Sequence, residues 1–236
     1  MSDDKSKLPT ETRSQEVDDF LDRLRRAPPP QPGGGRGRLI FAMDATASRE
    51  PSWDRACRIQ GEMFEATAAL GGLDIQLVFY RGFSECKASR WMTNAADMHR
   101  VMRAVSCVGG ETQIERVLSH ALREARRQKV GALVFVGDAM EENVDRLCKL
   151  AGELGLLGVP VFIFHEGRDR TAAAAFRQIA GLSRGAYLSF DAGSADRLKD
   201  LLAAVAVYAA GGYRALADYG ARKGGEVLRL TTQLRG

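Results

Sequence analysis

The chain has 236 residues, 45% hydrophobic and 27% charged. That is enough apolar material for one α/β core plus tails, and it excludes wholesale disorder. A net charge of +4 is too modest to argue for nucleic acid by itself. The four cysteines, Cys57, Cys86, Cys107 and Cys148, form no CxxC pair, so they read as reduced thiols of a cytosolic protein and not as a disulfide frame or a zinc site.

The N-terminus is polar, so no secretory signal is expected. The longest apolar run, Leu201 to Ala210, is about half the length a membrane span needs. We therefore expect a cytoplasmic protein with no membrane span. Residues 1–36 read as an N-terminal tail closing in APPPQPGGGRGR, where the density of Pro and Gly marks a linker. Within the tail, Thr12 and Gln15 have capping-box spacing, and Val17, Phe20, Leu21 and Leu24 recur at helical spacing. A short amphipathic helix lying on the domain is the favoured reading. A peptide that docks in a partner's groove is the other.

Leu39 to Met43 is a short apolar run without Gly or Pro, the signature of a strand buried in a parallel sheet. Pro51 to Leu70 reads as a helix with Ala56, Ile59, Met63, Ala66 and Leu70 on its apolar face, stopped by Gly71-Gly72. Asp74 to Arg81 is a second strand. Gly82 makes a turn, and Ser84 to Trp91 pairs back as an antiparallel edge strand. Asn94 caps a helix running to about Ser106. A loop, Val108 to Thr112, precedes a helix from Ile114 to Gln128. The densest basic cluster, Arg123, Arg126, Arg127 and Lys129, falls at the end of that helix, where cations suit the helix dipole.

Ala132 to Val136 is a buried strand ending at Gly137-Asp138. Glu142 to Leu156 is helical, Val159 to Phe164 a strand, Thr171 to Leu182 a helix and Ala186 to Phe190 a last strand. A last helix runs from Ser194, its N-cap, to Ala210. The domain then spans residues 37–212, and residues 213–236 form a C-terminal extension. In the extension, Tyr213 to Tyr219 suggests a helical turn or two, and Glu226 to Leu234 an added strand or a loose tail. Alternating strands and helices imply a mostly parallel, doubly wound, Rossmann-like sheet with helices on both faces.

The first strand ends on Asp44, and hydroxyls follow at alternate positions, Thr46 and Ser48. An acid at the carboxyl end of a central strand lies where open α/β sheets bind ligands. Three oxygen side chains at spacing two can converge on one hard cation, Mg²⁺, Ca²⁺ or Mn²⁺. Thr112 and Asp138 lie at matching loop and strand ends. Together they give D-x-T-x-S, then GGET, then GD. In this the chain resembles the von Willebrand factor A (VWA) domain family, whose metal-ion-dependent adhesion site combines D-x-S-x-S with a downstream Thr and a downstream Asp. The resemblance covers about Arg38 to Gly212. It implies six strands in the order 3-2-1-4-5-6 with one antiparallel edge strand. It also implies Mg²⁺ (or Mn²⁺ or Ca²⁺) at Asp44, Thr46, Ser48, Thr112 and Asp138, completed by an Asp or Glu carboxylate from a protein partner. Thr46 departs from the family's usual Ser and adds a methyl group. The Ala/Arg/Gly-rich composition and compact layout suggest a bacterial type.

Arg49, Glu50, Trp53 and Glu111 are expected at the rim. Glu141 and Glu142 either deepen the negative field or serve a helix N-terminus. Arg81 and Trp91 are exposed on the edge hairpin or packed there. Of His99, His120 and His165, only His165 ends a strand on the site edge, and a structural role is the simpler reading. The first rival function is an enzyme. An Asp closing the first strand is similar to the nucleophile of haloacid-dehalogenase-like phosphatases, but their D-x-D has its second acid replaced here by Thr46. Directly after the first strand there is no G-x-S-x-G elbow, Walker lysine or G-x-G-x-x-G. The second rival is an accessory module of an RNA-associated complex. The modest charge and the lack of an aromatic-basic stripe argue against direct nucleic-acid binding. We expect a non-enzymatic, metal-dependent protein-binding domain.

Overall fold

The computed structural model describes residue 23 and residues 36–190 and 195–223. The helix expected near Phe20, the Ser194 cap and the segment from Glu226 to Leu234 lie outside the described residues.

Strand β1 (Gly37–Asp44) is the centre of the sheet. From Leu39 to Asp44 every residue is buried. Its side chains alternate between two cores, as strand geometry demands. Leu39, Phe41 and Met43 enter one core, and Ile40 and Ala42 enter the other. β1 pairs in parallel with β2 (Leu73–Arg81) on one side and β4 (Ala132–Gly137) on the other. Beyond β2 lies β3 (Glu85–Ala88), antiparallel. Beyond β4 lie β5 (Val161–Glu166) and β6 (Ala186–Phe190), both parallel. The order is β3-β2-β1-β4-β5-β6, as the resemblance implies. The winding reverses between β1 and β4, which leaves a crevice at their carboxyl ends.

The first core takes α1 (Glu50–Ile59), α2 (Gly61–Thr67), α3 (Ala95–Arg103) and α7 (Ala195–Lys223) through residues such as Trp53, Met63, Met98 and Val205. The second takes α4 (Ile114–Arg127), α5 (Val144–Leu156) and α6 (Arg170–Leu182) through Leu118, Leu147 and Phe176. α7 lies directly on β1. A Cβ on Gly37 would stand 2.4 Å from the Ala210 Cα, so only glycine permits that approach.

Several boundaries differ from the sequence reading. The helix expected from Pro51 to Leu70 is broken at Gln60 into α1 and α2 and ends in a 3₁₀ turn, Ala68–Leu70. The span Ala195–Lys223 is two helical segments meeting at Gly212, whose φ of 72° and ψ of −168° are not helical, so the last helix stops at the glycine pair as expected and a further helical segment reaches Lys223. Beyond Gly212, Ala215, Leu216 and Tyr219 are buried in the first core. Arg36 is held at the sheet by Asp74 at 2.6 Å and by the Leu73 carbonyl at 2.9 Å. Among the described residues no helix is long and apolar enough to cross a membrane.

Candidate metal site

At the end of β1 the Asp44 carboxylate, 1% exposed, accepts the Thr46 amide at 2.7 Å. This turn is the local bond that short Asp side chains favour. It throws the chain into a 3₁₀ turn, Ala47–Arg49, with the Arg49 amide on the Thr46 carbonyl at 2.9 Å. The Thr46 and Ser48 hydroxyls then stand 3.4 Å apart. The Ser48 hydroxyl donates to Asp138 Oδ2 at 3.1 Å, tying the first loop to the end of β4.

Thr112 arrives from the loop before α4. Its Oγ1 accepts the Glu141 amide at 3.2 Å, and its own amide donates to Glu141 Oε2 at 3.1 Å. Asp44, Thr46, Ser48, Thr112 and Asp138 thus line one cavity of about 200 Å³, with Ala47, Gly109, Gly110, Ala139 and Glu141. The structure brings together all five residues singled out in the sequence.

The donor set fits a hard cation. It consists of two carboxylates and three hydroxyls, with no thiolate or imidazole. Burial pushes the Asp44 carboxyl up from its ordinary value, against the hydrogen bond from Thr46. A positive charge in the cavity would relieve that cost. Among the described residues no group of three or more His, Cys, Asp or Glu side chains is placed to hold a metal. Three of the five oxygen side chains lining the cavity are hydroxyls.

The surrounding residues depart from the sequence reading in instructive ways. Arg49 is not on the rim: it is 3% exposed, with Nη2 2.7 Å from Glu166 Oε2 and Nη1 3.8 Å from Asp138 Oδ2. The first contact is an ion pair by distance, although its angle is outside hydrogen-bond geometry. Trp53 is core, edge-on to Phe79, with Nε1 donating to the Met102 carbonyl at 3.0 Å. Glu50 and Glu111 are exposed. Glu142 serves a helix N-terminus, but that of α4 and not of its own α5. Its carboxylate accepts the Ile114 amide and, at 2.8 Å, the Glu115 amide. Asn143 caps α5 instead.

His165 is structural. Nε2 donates to the Asp138 carbonyl at 3.2 Å, which leaves Nδ1 to accept from the Tyr187 hydroxyl at 2.9 Å. Burial lowers its pKa, so the ring is neutral and pins the backbone of the Asp138 loop. At the opposite end of the sheet Trp91 is packed, with the Arg38 guanidinium 3.8 Å over its ring. Arg81 is tied to Glu85 at 2.9 Å and to the Ser106 carbonyl at 2.6 Å. Sequence reasoning missed Glu166. Its signal was positional: it follows His165 at the end of β5, on the same sheet edge as Asp44 and Asp138.

No family model matches the sequence, and no curated protein matches it. Solved structures do. One is a VWA domain, SpRpn10, at 13% identity and a TM-score of 0.53; the match covers 73% of this chain and 94% of that one. Another is proximal thread matrix protein 1 from the mussel byssus with a zinc-occupied adhesion-site motif, at 16% identity and a TM-score of 0.55, covering 73% of this chain and 48% of that one. A third is the open conformation of the pilus adhesin SpaC from Lactobacillus rhamnosus GG, at 11% identity and a TM-score of 0.57, covering 80% and 31%. The chain spans about half the length of the mussel protein and less than a third of the adhesin. At these identities the likeness is one of fold, and the fold is that of a VWA domain.

Proposed function

We propose that this VWA-fold chain binds a protein partner through a divalent cation held by Asp44, Thr46, Ser48, Thr112 and Asp138. The observation that carries the reading is the convergence of these five oxygen side chains, from three separate loops, on one cavity at the sheet's crevice. Mg²⁺ is the expected ion, with Mn²⁺ or Ca²⁺ as substitutes. Such an ion would supply an electrophilic position at which a partner's Asp or Glu carboxylate completes the shell. Neutral hydroxyls in the set leave much of the ion's charge for that carboxylate.

The proposed role is binding without turnover. The position of the phosphatase general acid is Thr46, whose hydroxyl faces Ser48. Glu141 is engaged with the Thr112 amide. A cytoplasmic setting is part of the proposal and is supported by the four free cysteines. The neighbour with a zinc-occupied motif and the adhesin support the choice of metal-dependent adhesion over catalysis.

The test is calorimetry of the full chain with Mg²⁺ and Mn²⁺, followed by partner capture from the native lysate with Mg²⁺ or with EDTA. Saturable binding that Asp44→Ala abolishes in a folded protein, and capture that EDTA reverses, are the expected results. Equal capture in EDTA would move the interface elsewhere. Phosphatase turnover that depends on Mg²⁺ would replace the reading with an enzymatic one.

A further inference from the structure

Arg49 is a buried cation beside the candidate metal cavity. Its guanidinium sits between two acids from neighbouring strand ends, Glu166 at 2.7 Å and Asp138 at 3.8 Å. Glu166 is shared: Arg55 Nη1 lies 3.7 Å from it, and the Ser52 hydroxyl also donates to it. Two guanidinium groups over one carboxylate leave one positive charge in excess. Arg49 Nε, meanwhile, has no hydrogen-bond partner. The surplus falls on Asp138, whose Oδ2 also receives the Ser48 hydroxyl.

We propose that Arg49 competes with the divalent cation for Asp138, so that the chain holds its cation weakly until a carboxylate joins the site. The proposal rests on the metal reading above and adds a regulation to it. A guanidinium does not deprotonate in a protein. At 3% exposure it is poorly screened, so its repulsion of an incoming dication is felt at close range. Asp44 and Asp138 alone would neutralise a dication. Where Arg49 draws on Asp138, that carboxylate neutralises the dication less completely, and an anionic oxygen makes up the difference. By linkage, a carboxylate then tightens the cation by the same factor as the cation tightens the carboxylate. Metal and partner would load together, and neither would saturate the site alone.

Two variants move the balance in opposite directions. Glu166→Gln leaves Arg49 to Asp138 and should weaken Mn²⁺ binding by about fivefold or more. Arg49→Met combined with Glu166→Gln removes both charges of the buried pair and leaves only Arg55, the more exposed of the two guanidinium groups, without the Glu166 carboxylate. It should bind Mn²⁺ more tightly than the unaltered chain by a similar factor. Acetate, as the carboxylate probe, should tighten Mn²⁺ in the unaltered chain and do so less in the double variant. Affinities are read by calorimetry and by the electron paramagnetic resonance of free Mn²⁺, with folding followed by circular dichroism. Should Glu166→Gln fail to fold, the double variant alone carries the comparison. Folded variants that bind Mn²⁺ as the unaltered chain does, or that shift in the same direction, would overturn the role of Arg49 while leaving the metal site standing. An unaltered chain that binds no Mn²⁺, with or without acetate, would overturn both.

Discussion

Thr112 and Glu141 hold each other by two reciprocal bonds, amide to hydroxyl at 3.2 Å and amide to carboxylate at 3.1 Å. The pair fastens the loop before α4 to the loop after β4, and it sets where the Thr112 oxygen stands in the cavity. Thr112→Val keeps shape but removes the acceptor of the Glu141 amide. We expect a stability loss of about 1–2 kcal/mol, the cost of one unmade hydrogen bond, by urea denaturation. Divalent affinity should fall in the same variant, while Thr112→Ser restores both. A Val variant with unchanged Mg²⁺ affinity would remove Thr112 from the ligand set.

The same loop carries two adjacent glycines with different constraints. A Cβ on Gly110 would stand 2.1 Å from the Gly82 carbonyl oxygen in the β2–β3 turn, whereas a Cβ on Gly109 meets nothing within 4 Å. Gly110→Ala must therefore displace one of two backbones, at about 1–3 kcal/mol. It should also weaken divalent binding, since the backbone it displaces leads into Thr112 two residues on. Gly109→Ala should leave the melting temperature and Mg²⁺ affinity close to those of the unaltered chain. Equal effects of the two changes would show that the loop accommodates a side chain at either position.

Much of this was legible in the sequence, because it was written locally. The run Leu39 to Met43, closed by Asp44, announced a buried central strand, and D-x-T-x-S placed three oxygens in one loop. The alternation of strands and helices was enough for a mostly parallel, doubly wound sheet, while its strand order came only with the resemblance to the VWA family. What the sequence hid depends on contacts between distant segments. Arg49 read as a rim residue because nothing near it in sequence pairs it; Glu166, 117 positions on, buries it. Glu142 read either as part of the negative field or as an acid of a helix N-terminus; it is the latter, but at α4, which precedes it in the chain. The glycine pair at Gly211-Gly212 read as a helix stop and is one, since Gly212 is non-helical; what stayed hidden is that the segment beyond it packs Leu216 and Tyr219 into the core.

His120 supplies a pH dependence separate from the cavity. Its Nε2 is 2.8 Å from Gln76 Oε1, and burial lowers its pKa from the usual 6.5, with Arg123 and Arg127 adding to the shift against Glu124. The folded state thus prefers the neutral ring. This contribution to stability is complete above the unfolded value and is lost as pH falls from about 6.5 through the lowered folded value. His165 is shifted in the same direction, so the unaltered chain carries both effects. The difference between the unaltered chain and His120→Gln isolates one of them. Denaturation midpoints measured from pH 8 to pH 5 should fall less steeply in the variant. Parallel profiles would mean that His120 titrates alike in both states.

Glu124, at the amino end of the sheet, separates loss of fold from loss of the site. Its Oε2 accepts from Arg38 Nη2 at 3.3 Å and from Trp91 Nε1 at 3.0 Å, while the Arg38 guanidinium lies 3.8 Å over the Trp91 ring. Arg38 and Glu124 are each 9% exposed. Arg38 also reaches the Gln128 carbonyl at 3.1 Å, so this cluster joins β1, the end of α4 and the segment after β3. Glu124→Ala would leave the Arg38 charge buried without its carboxylate, and the indole N–H without its acceptor. Removing one partner of a buried pair is the costly case, and we expect a loss of about 3 kcal/mol. Arg38→Met combined with Glu124→Leu removes both charges and should recover much of that loss. Because the cluster sits at the opposite end of the strands from Asp44, Mg²⁺ affinity in the folded fraction should match that of the unaltered chain in both variants. Calorimetry beside chemical denaturation separates the two quantities. A fall in Mg²⁺ affinity with Glu124→Ala, measured well below its melting temperature, would show that the two ends of β1 are coupled.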